Sequence, residues 1–159
     1  MNFDGIREKT LVLVKPDAIQ RGLIGEIVGR FERKGLKLVG IKMMNLKDDV
    51  LKEHYAHLAD KPFFASLSNF MKSSPVIAMC WEGLEVVSAV RLLCGITKAR
   101  AAEAGSIRGD LAMSVSCNVV HASDSVDNAK REVARFFTEE ELQDYRKSDY
   151  EHVYAEDER

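Results

Sequence analysis

"TLVLVKPDAIQRGLIGEIVGRFERKGLKLVGIKMMNL", residues 10–46, changes its hydrophobic period twice. Thr10 to Val14 form a short apolar β-type run, and Lys15-Pro16 ends it because proline has no N–H to give a ladder. From Leu23 the spacing turns helical. Leu23, Ile24, Ile27, Val28 and Phe31 share one face, while Glu26, Arg30 and Arg33 look outward. Gly35, after Arg33-Lys34, completes a cationic last turn and a glycine stop. Residues 36–46 then alternate, with Leu36, Leu38 and Gly40 on one parity, which predicts a long strand.

The pattern continues outward from this strand–helix–strand unit. Residues 48–74 read as two short helices, "DDVLKEHYAHL" and "KPFFASLSNFMKSS", with Pro62 at a plausible first helical position of the second. "PVIAMCWEG", residues 75–83, is a continuous apolar run and predicts a buried strand. "LEVVSAVRLLCG", residues 84–95, predicts a short helix stopped by Gly95. Residues 96–112 look loop-like and carry Lys98, Arg100 and Arg108. "SVSCNVV", residues 114–120, predicts the last strand, and residues 123–137 the last long helix, with Val126, Ala129, Val133, Phe136 and Phe137 toward the core. The polar tail from Glu140 is expected to wrap the surface. This order argues for an α+β fold with a four-stranded sheet, its helices on one face.

Composition sets the outer bounds. A chain of 159 residues is the size of one domain, residues 1–159, able to bury roughly 70% of the surface its unfolded form exposes. Hydrophobic residues make up 46% and charged residues 30%, a soluble globular mix. The net charge of −2 offers no footprint for nucleic acid, although local Lys and Arg can still serve small anions. No segment approaches a membrane span, and "MNFDGIREKT" lacks the apolar core of a signal peptide. Cys80, Cys94 and Cys117 are odd in number and without CxxC spacing, which suits reduced thiols in a cytoplasm.

The chemistry-bearing residues gather around "NVVHASDSVDNAKREV", residues 118–133. There is no GxxxxGK[ST] loop, and the glycines of "GLIGEIVG" have the wrong spacing for a dinucleotide fingerprint. His121 falls at a strand–helix junction. Ser123 or Asp124 can cap the helix, which puts a partly positive helix start beside the histidine. Glu132, two turns along, can bond one imidazole nitrogen and leave the other unprotonated and nucleophilic. In a regular strand Asn118 and His121 would point to opposite faces, so the ladder must end or bulge between them if they cooperate. Arg91 interrupts an apolar helix and, with Thr97 just beyond it, offers partners for phosphate oxygens. Phe63 and Phe64 are core residues by default, or a stacking surface for a base. His54 and His57 in "EHYAH" could form half a metal site, but exposed helix positions are the better reading.

Taken together, "VKPDAIQRGLIGEI", "HYAHLADKPFF", "PVIAMCWEG", "SIRGD" and "NVVHASDS", in this order, resemble the nucleoside diphosphate kinase family from Thr10 to about Tyr145. The resemblance implies a ferredoxin-like βαββαβ core with a four-stranded antiparallel sheet, in a homo-oligomer, a hexamer rather than a tetramer. It implies transfer of the γ-phosphate of a nucleoside triphosphate to a nucleoside diphosphate, with Mg2+ carried by the nucleotide phosphates and no metal held by protein ligands. His121 would be phosphorylated in a ping-pong cycle, with Glu132 on its other nitrogen and Ser123 supporting that Glu and the phosphate site. Lys15 and Asn118 would contact the ribose, and Lys15 also the transferring phosphate. Tyr55, Arg91, Thr97 and Arg108 would surround the phosphates, and Phe63 would stack on the base. The chain departs from the family at Ala122 and Ala18, where Gly is usual, at Ala99 and Ala104, where Pro is usual, and at Ile96, where Glu is frequent. At residue 122 a positive φ would strain alanine by about 1–2 kcal/mol. Two other readings compete: a catalytically silent nucleotide-binding or scaffolding protein on this fold, and a nucleic-acid-binding module, which the net charge disfavours.

Overall fold

The apolar run at residues 10–14 forms the second half of β1 (Arg7–Val14), whose last five residues are all buried. The structure is a computed structural model that describes residues 7–158. The first six residues, part of the segment read above as lacking a leader core, and Arg159 at the end of the acidic tail lie outside the described residues. After β1 come α1 (Pro16–Gln20), α2 (Ile24–Arg33), β2 (Lys37–Met44), α3 (Asp48–His54) and α4 (Phe64–Lys72). They are followed by β3 (Val76–Leu84), α5 (Val86–Cys94), α6 (Ile107–Leu111), β4 (Val120–Ala122), α7 (Val126–Phe136) and α8 (Tyr150–Val153).

The strands form one antiparallel sheet in the order β2-β3-β1-β4, the ferredoxin-like arrangement. Helices cover both of its faces, not one. Val12, Val14, Phe31, Met79, Trp81 and Val90 pack on the side of α1, α2 and α5. Leu11, Leu13, Leu51, Met71, Cys80 and Phe136 pack on the side of α3, α4 and α7. The reason is in the central strands. "LVLV" and "VIAMCW" are continuous rather than alternating, so successive side chains on opposite faces are all apolar and both faces need cover.

Other expectations are corrected locally. A short helix, α1, follows the strand-ending Lys15-Pro16, with proline in its first turn where a missing N–H costs nothing. Pro62 lies ahead of α4, which starts at Phe64. The segment read as loop contains α6, capped by the Ser106 hydroxyl, which accepts from the Gly109 N–H at 3.0 Å. Gly109 admits no side chain, since a Cβ there would lie 1.9 Å from the Glu103 carbonyl oxygen. The last strand is only Val120–Ala122, and α7 begins at Val126 with Ser125 as its cap, not Ser123 or Asp124. Val126 itself is 38% exposed rather than in the core.

The tail follows the outer edge of β2. The Gln143 N–H donates to the Val39 carbonyl at 2.7 Å and the Tyr145 hydroxyl to the Leu38 carbonyl at 2.8 Å. Beyond Gly40, Ile41 and Met43 are 50% and 57% exposed on the same edge strand.

Candidate active site

β4 pairs with β1 so that His121 lies opposite Leu13, on the sheet face covered by α3, α4 and α7. Nearly two turns along, α7 presents Glu132 to that face. Its Oε2 lies 3.2 Å from His121 Nε2 and accepts from the Ser123 hydroxyl at 2.5 Å. Ser123 is fully buried, and its Oγ also accepts from the Leu11 N–H, so β1 anchors the group. A carboxylate on Nε2 favours the tautomer with its proton there. Nδ1 is left with a lone pair and no protein hydrogen bond among the described residues. Burial pushes the Glu132 carboxyl up, but the bonds from His121 and Ser123 outweigh it and bring its pKa down to about 2.

In front of His121 opens a cleft of about 580 Å³. It is lined by Lys15, Tyr55, Phe63, Arg91, Thr97, Arg108, Asn118 and His121, eight of the ten residues to which the resemblance gives a role, while Glu132 and Ser123 stand behind the imidazole. Lys15, at the end of β1, donates its ammonium to Asn118 Oδ1 and to the Ser116 carbonyl, both at 2.8 Å. Burial lowers its pKa to about 8, with Asp17 opposing and Arg108 adding to the fall. Arg108 from α6 donates to the carbonyls of Gly95, Asn118 and Val120 at 2.7, 3.3 and 2.7 Å, so it staples the loop together while still lining the cleft. Burial also lowers its pKa. Phe63 is 52% exposed at the start of α4, an aromatic face open to solvent rather than a core residue. Phe64 is partly buried against the core.

The conflict between Asn118 and His121 is settled by the backbone. Val119 takes φ +65°, and β4 begins only after it. Residues 114–118 are therefore not strand. Asn118 Nδ2 instead donates to the carbonyls of Thr97 and Val115 at 3.1 and 2.9 Å. The only non-glycine residues with positive φ among the described residues are Glu85 and Val119, so Ala122 carries no strain. Ala18 is buried in α1, and Ala99 is buried in a short turn.

His54 overturns its expected exposure. It is 95% buried, since its relative exposure is 5%, and its ring meets that of His121 edge-on with centroids 4.5 Å apart. The signal was present: Leu51, His54 and Tyr55 share one face of α3 at helical spacing. Burial holds its pKa near 3, so it is neutral at all working pH values. Arg135 Nη1 lies 3.2 Å from its Nδ1 and serves as the donor. His57, by contrast, is exposed, so the two histidines share no site. His54, His121 and Glu132 bring ligand-type atoms within 4.8 Å of one another. Arg135, Ser123 and the His121–Glu132 bond already use those atoms, and a guanidinium beside them opposes a cation. No carboxylate lines the cleft itself among the described residues. A hard divalent ion would find oxygen ligands there on a phosphate chain rather than on the protein.

A family model described as nucleoside diphosphate kinase matches residues 8–142. The chain is 54% identical over 151 residues to a nucleoside diphosphate kinase of Parabacteroides distasonis, covering 95% of this chain and 99% of that one. It is 51% identical over 138 residues to nucleoside diphosphate kinase A of Homo sapiens, covering 87% and 91%. The solved structure of a halophilic nucleoside diphosphate kinase from Halobacterium salinarum in complex with CDP matches with a TM-score of 0.90 at 47% identity, covering 93% of this chain and 99% of that one.

Proposed function

The chain belongs to the nucleoside diphosphate kinase family, whose reaction moves a phosphoryl group between nucleotides, and we propose that it does so through a phosphohistidine on His121. In the first stroke the Nδ1 lone pair attacks the γ-phosphorus of a nucleoside triphosphate. A P–N bond forms, the bond to the bridging oxygen breaks, and the diphosphate leaves with that oxygen. In the second stroke a terminal oxygen of another diphosphate attacks the same phosphorus and the P–N bond breaks. The observation that carries this reading is the single imidazole nitrogen left free by the Glu132–Ser123 pair, at the wall of a cleft lined by Lys15, Arg91 and Arg108.

Each remaining residue has a role that its position supports. Phosphoryl transfer passes through a loose transition state, so positioning and fixed charge do most of the catalysis. Lys15, with Asn118 holding its ammonium, sits where it can meet the transferring phosphate and the ribose. Arg91, Thr97, Tyr55 and Arg108 suit the remaining phosphates, and the exposed Phe63 ring suits a base. Stacking reads no base edge, which fits a broad range of nucleotides. We assign Mg2+ to the nucleotide, where it neutralises phosphate charge. The family as a whole is consistent with a divalent metal cofactor.

We also assign the chain to the cytoplasm, as one domain over residues 1–159 in a homo-oligomer. No helix among the described residues is long and apolar enough to cross a membrane, and the three cysteines are free. An open edge strand bearing Ile41 and Met43 supports pairing with a second copy, because such edges are otherwise covered. The preference for a hexamer over a tetramer rests on the resemblance alone, and sedimentation equilibrium decides it.

The deciding test is His121→Ala. It should abolish phosphate exchange between ATP and GDP, and only the parent should acquire an acid-labile, alkali-stable phosphate from ATP. A variant that keeps most of the activity sinks the reading. No observation favours the silent scaffold.

A further inference from the structure

Just ahead of His121 the chain turns through a conformation that β-branched residues avoid. Val119 has φ +65°, and the Val120 N–H donates to the Asn118 carbonyl at 2.8 Å. This closes a three-residue γ-turn with a positive central angle, the rare and strained form. Residues of the "KPD" segment grip it from across the sheet end. The Lys15 backbone N–H donates to the Val119 carbonyl at 2.9 Å, and Asp17 Oδ2 accepts from the Val119 N–H at 3.1 Å. The other carboxylate oxygen, Oδ1, is buried with no hydrogen-bond partner among the described residues. The bond to Val119 is thus what ties this side chain to the rest of the site.

We propose that Asp17 is a positioning residue: by holding the Val119 N–H it maintains the turn that sets Asn118 on the Lys15 ammonium and His121 at the same cleft. The inference rests on the roles assigned above to His121 and Lys15. Without the turn, residues 118 and 121 would point to opposite faces of a strand. With it, both line one cavity. Asp17 has a second influence through charge. The ionisable groups that act on Lys15 are Asp17 from α1, Arg108 from α6 and Cys117 from the preceding loop. Of these, the Asp17 carboxylate is the main influence keeping the ammonium protonated against burial.

The test compares Asp17→Ala, Asp17→Asn and the double variant Asp17→Ala/Val119→Gly in single-turnover phosphorylation of His121 by γ-labelled ATP. Asp17→Ala should slow labelling about tenfold, the scale of one strained left-handed residue. Val119→Gly in that background should recover most of the loss, since glycine takes positive φ without a clamp. Asp17→Asn retains an oxygen acceptor and should exceed Asp17→Ala at pH 7, with its alkaline limb moved to lower pH because Lys15 loses a neighbouring anion. An Asp17→Ala rate equal to the parent's overturns the inference. So does a native circular dichroism spectrum with no recovery in the double variant. If Asp17→Ala does not fold, an Asp17→Asn profile identical to the parent's overturns it instead. Failure of the underlying reading is separate: there, His121→Ala would still take up label.

Discussion

Lys37 at the start of β2 and Lys15 at the end of β1 are both nearly buried, 2% and 6% exposed, yet their surroundings differ in kind. Lys37 Nζ lies 3.2 Å from Glu82 and 3.2 Å from Asp144, over the Tyr145 ring. Its charge is cancelled where it stands. Lys15 Nζ meets only a carbonyl, an amide oxygen and the Phe70 ring, with no carboxylate in hydrogen-bond contact. Neutral acceptors satisfy its protons but leave its field intact. The hollow beside Lys37, about 830 Å³, and another lined by Lys9, Val133 and Phe137, about 890 Å³, both exceed the one beside Lys15. Size does not single out the cleft at His121, whereas unbalanced charge does, in support of the site proposed there.

The sharpest way to break this contrast is to remove each charge in turn. Lys15→Met should lower kcat/KM about 100-fold or more, on the scale of losing a preorganised charge at a transition state. The same change should leave the melting temperature unchanged or raise it, because a buried cation with no carboxylate in hydrogen-bond contact is lost. A coupled assay beside calorimetry reads both. Glu82→Ala should do the reverse. Losing one of the two carboxylates on Lys37 should cost about 2 kcal/mol of stability in urea melts while activity per folded molecule stays near the parent's. Comparable losses of activity in the two variants would erase the distinction.

A titration sharpens it further. The folded-state pKa of Lys15 lies near 8, below the ordinary 10.5, so its ammonium is lost as pH rises through about 8 and kcat/KM should fall there. Stability should move the other way. Between about pH 8 and 10.5 the unfolded chain holds a proton that the folded chain has released, so this residue's contribution rises with pH. Lys15→Met should remove both trends. The smallest effect is expected at Cys117, an exposed thiol at the cleft wall. Cys117→Ser should change kcat/KM by less than about twofold, as for a surface substitution away from the bonded network.

What the sequence alone discloses follows a physical line. Elements with a strong period, α2, α5 and the body of α7, were legible because burial acts directly on side-chain spacing. Glu132 and His121 were legible for the same reason, being set by a helix and a strand whose join is short. The covering of both sheet faces is legible too, in the unbroken run "LVLV", which overrides the one-sided cover that the order of elements suggests. The turn at Val119 was not legible. Its cause lies in bonds from Lys15 and Asp17, over 100 residues away along the chain, and valine is the last residue that local preference would place there. Nor was the stapling by Arg108, because bonds to backbone carbonyls leave no mark on hydrophobic pattern.

The strap from Leu142 to Tyr145 has one more consequence. It occupies the carbonyls of Leu38 and Val39 and stops, so the stretch of β2 left for another strand to zip onto is confined to residues 41–44. The C-terminal segment thereby acts as a ruler. Trimming it would hand a would-be neighbour the full eight-residue strand and allow slipped registers, whereas one further turn of bonded tail would close the seam altogether.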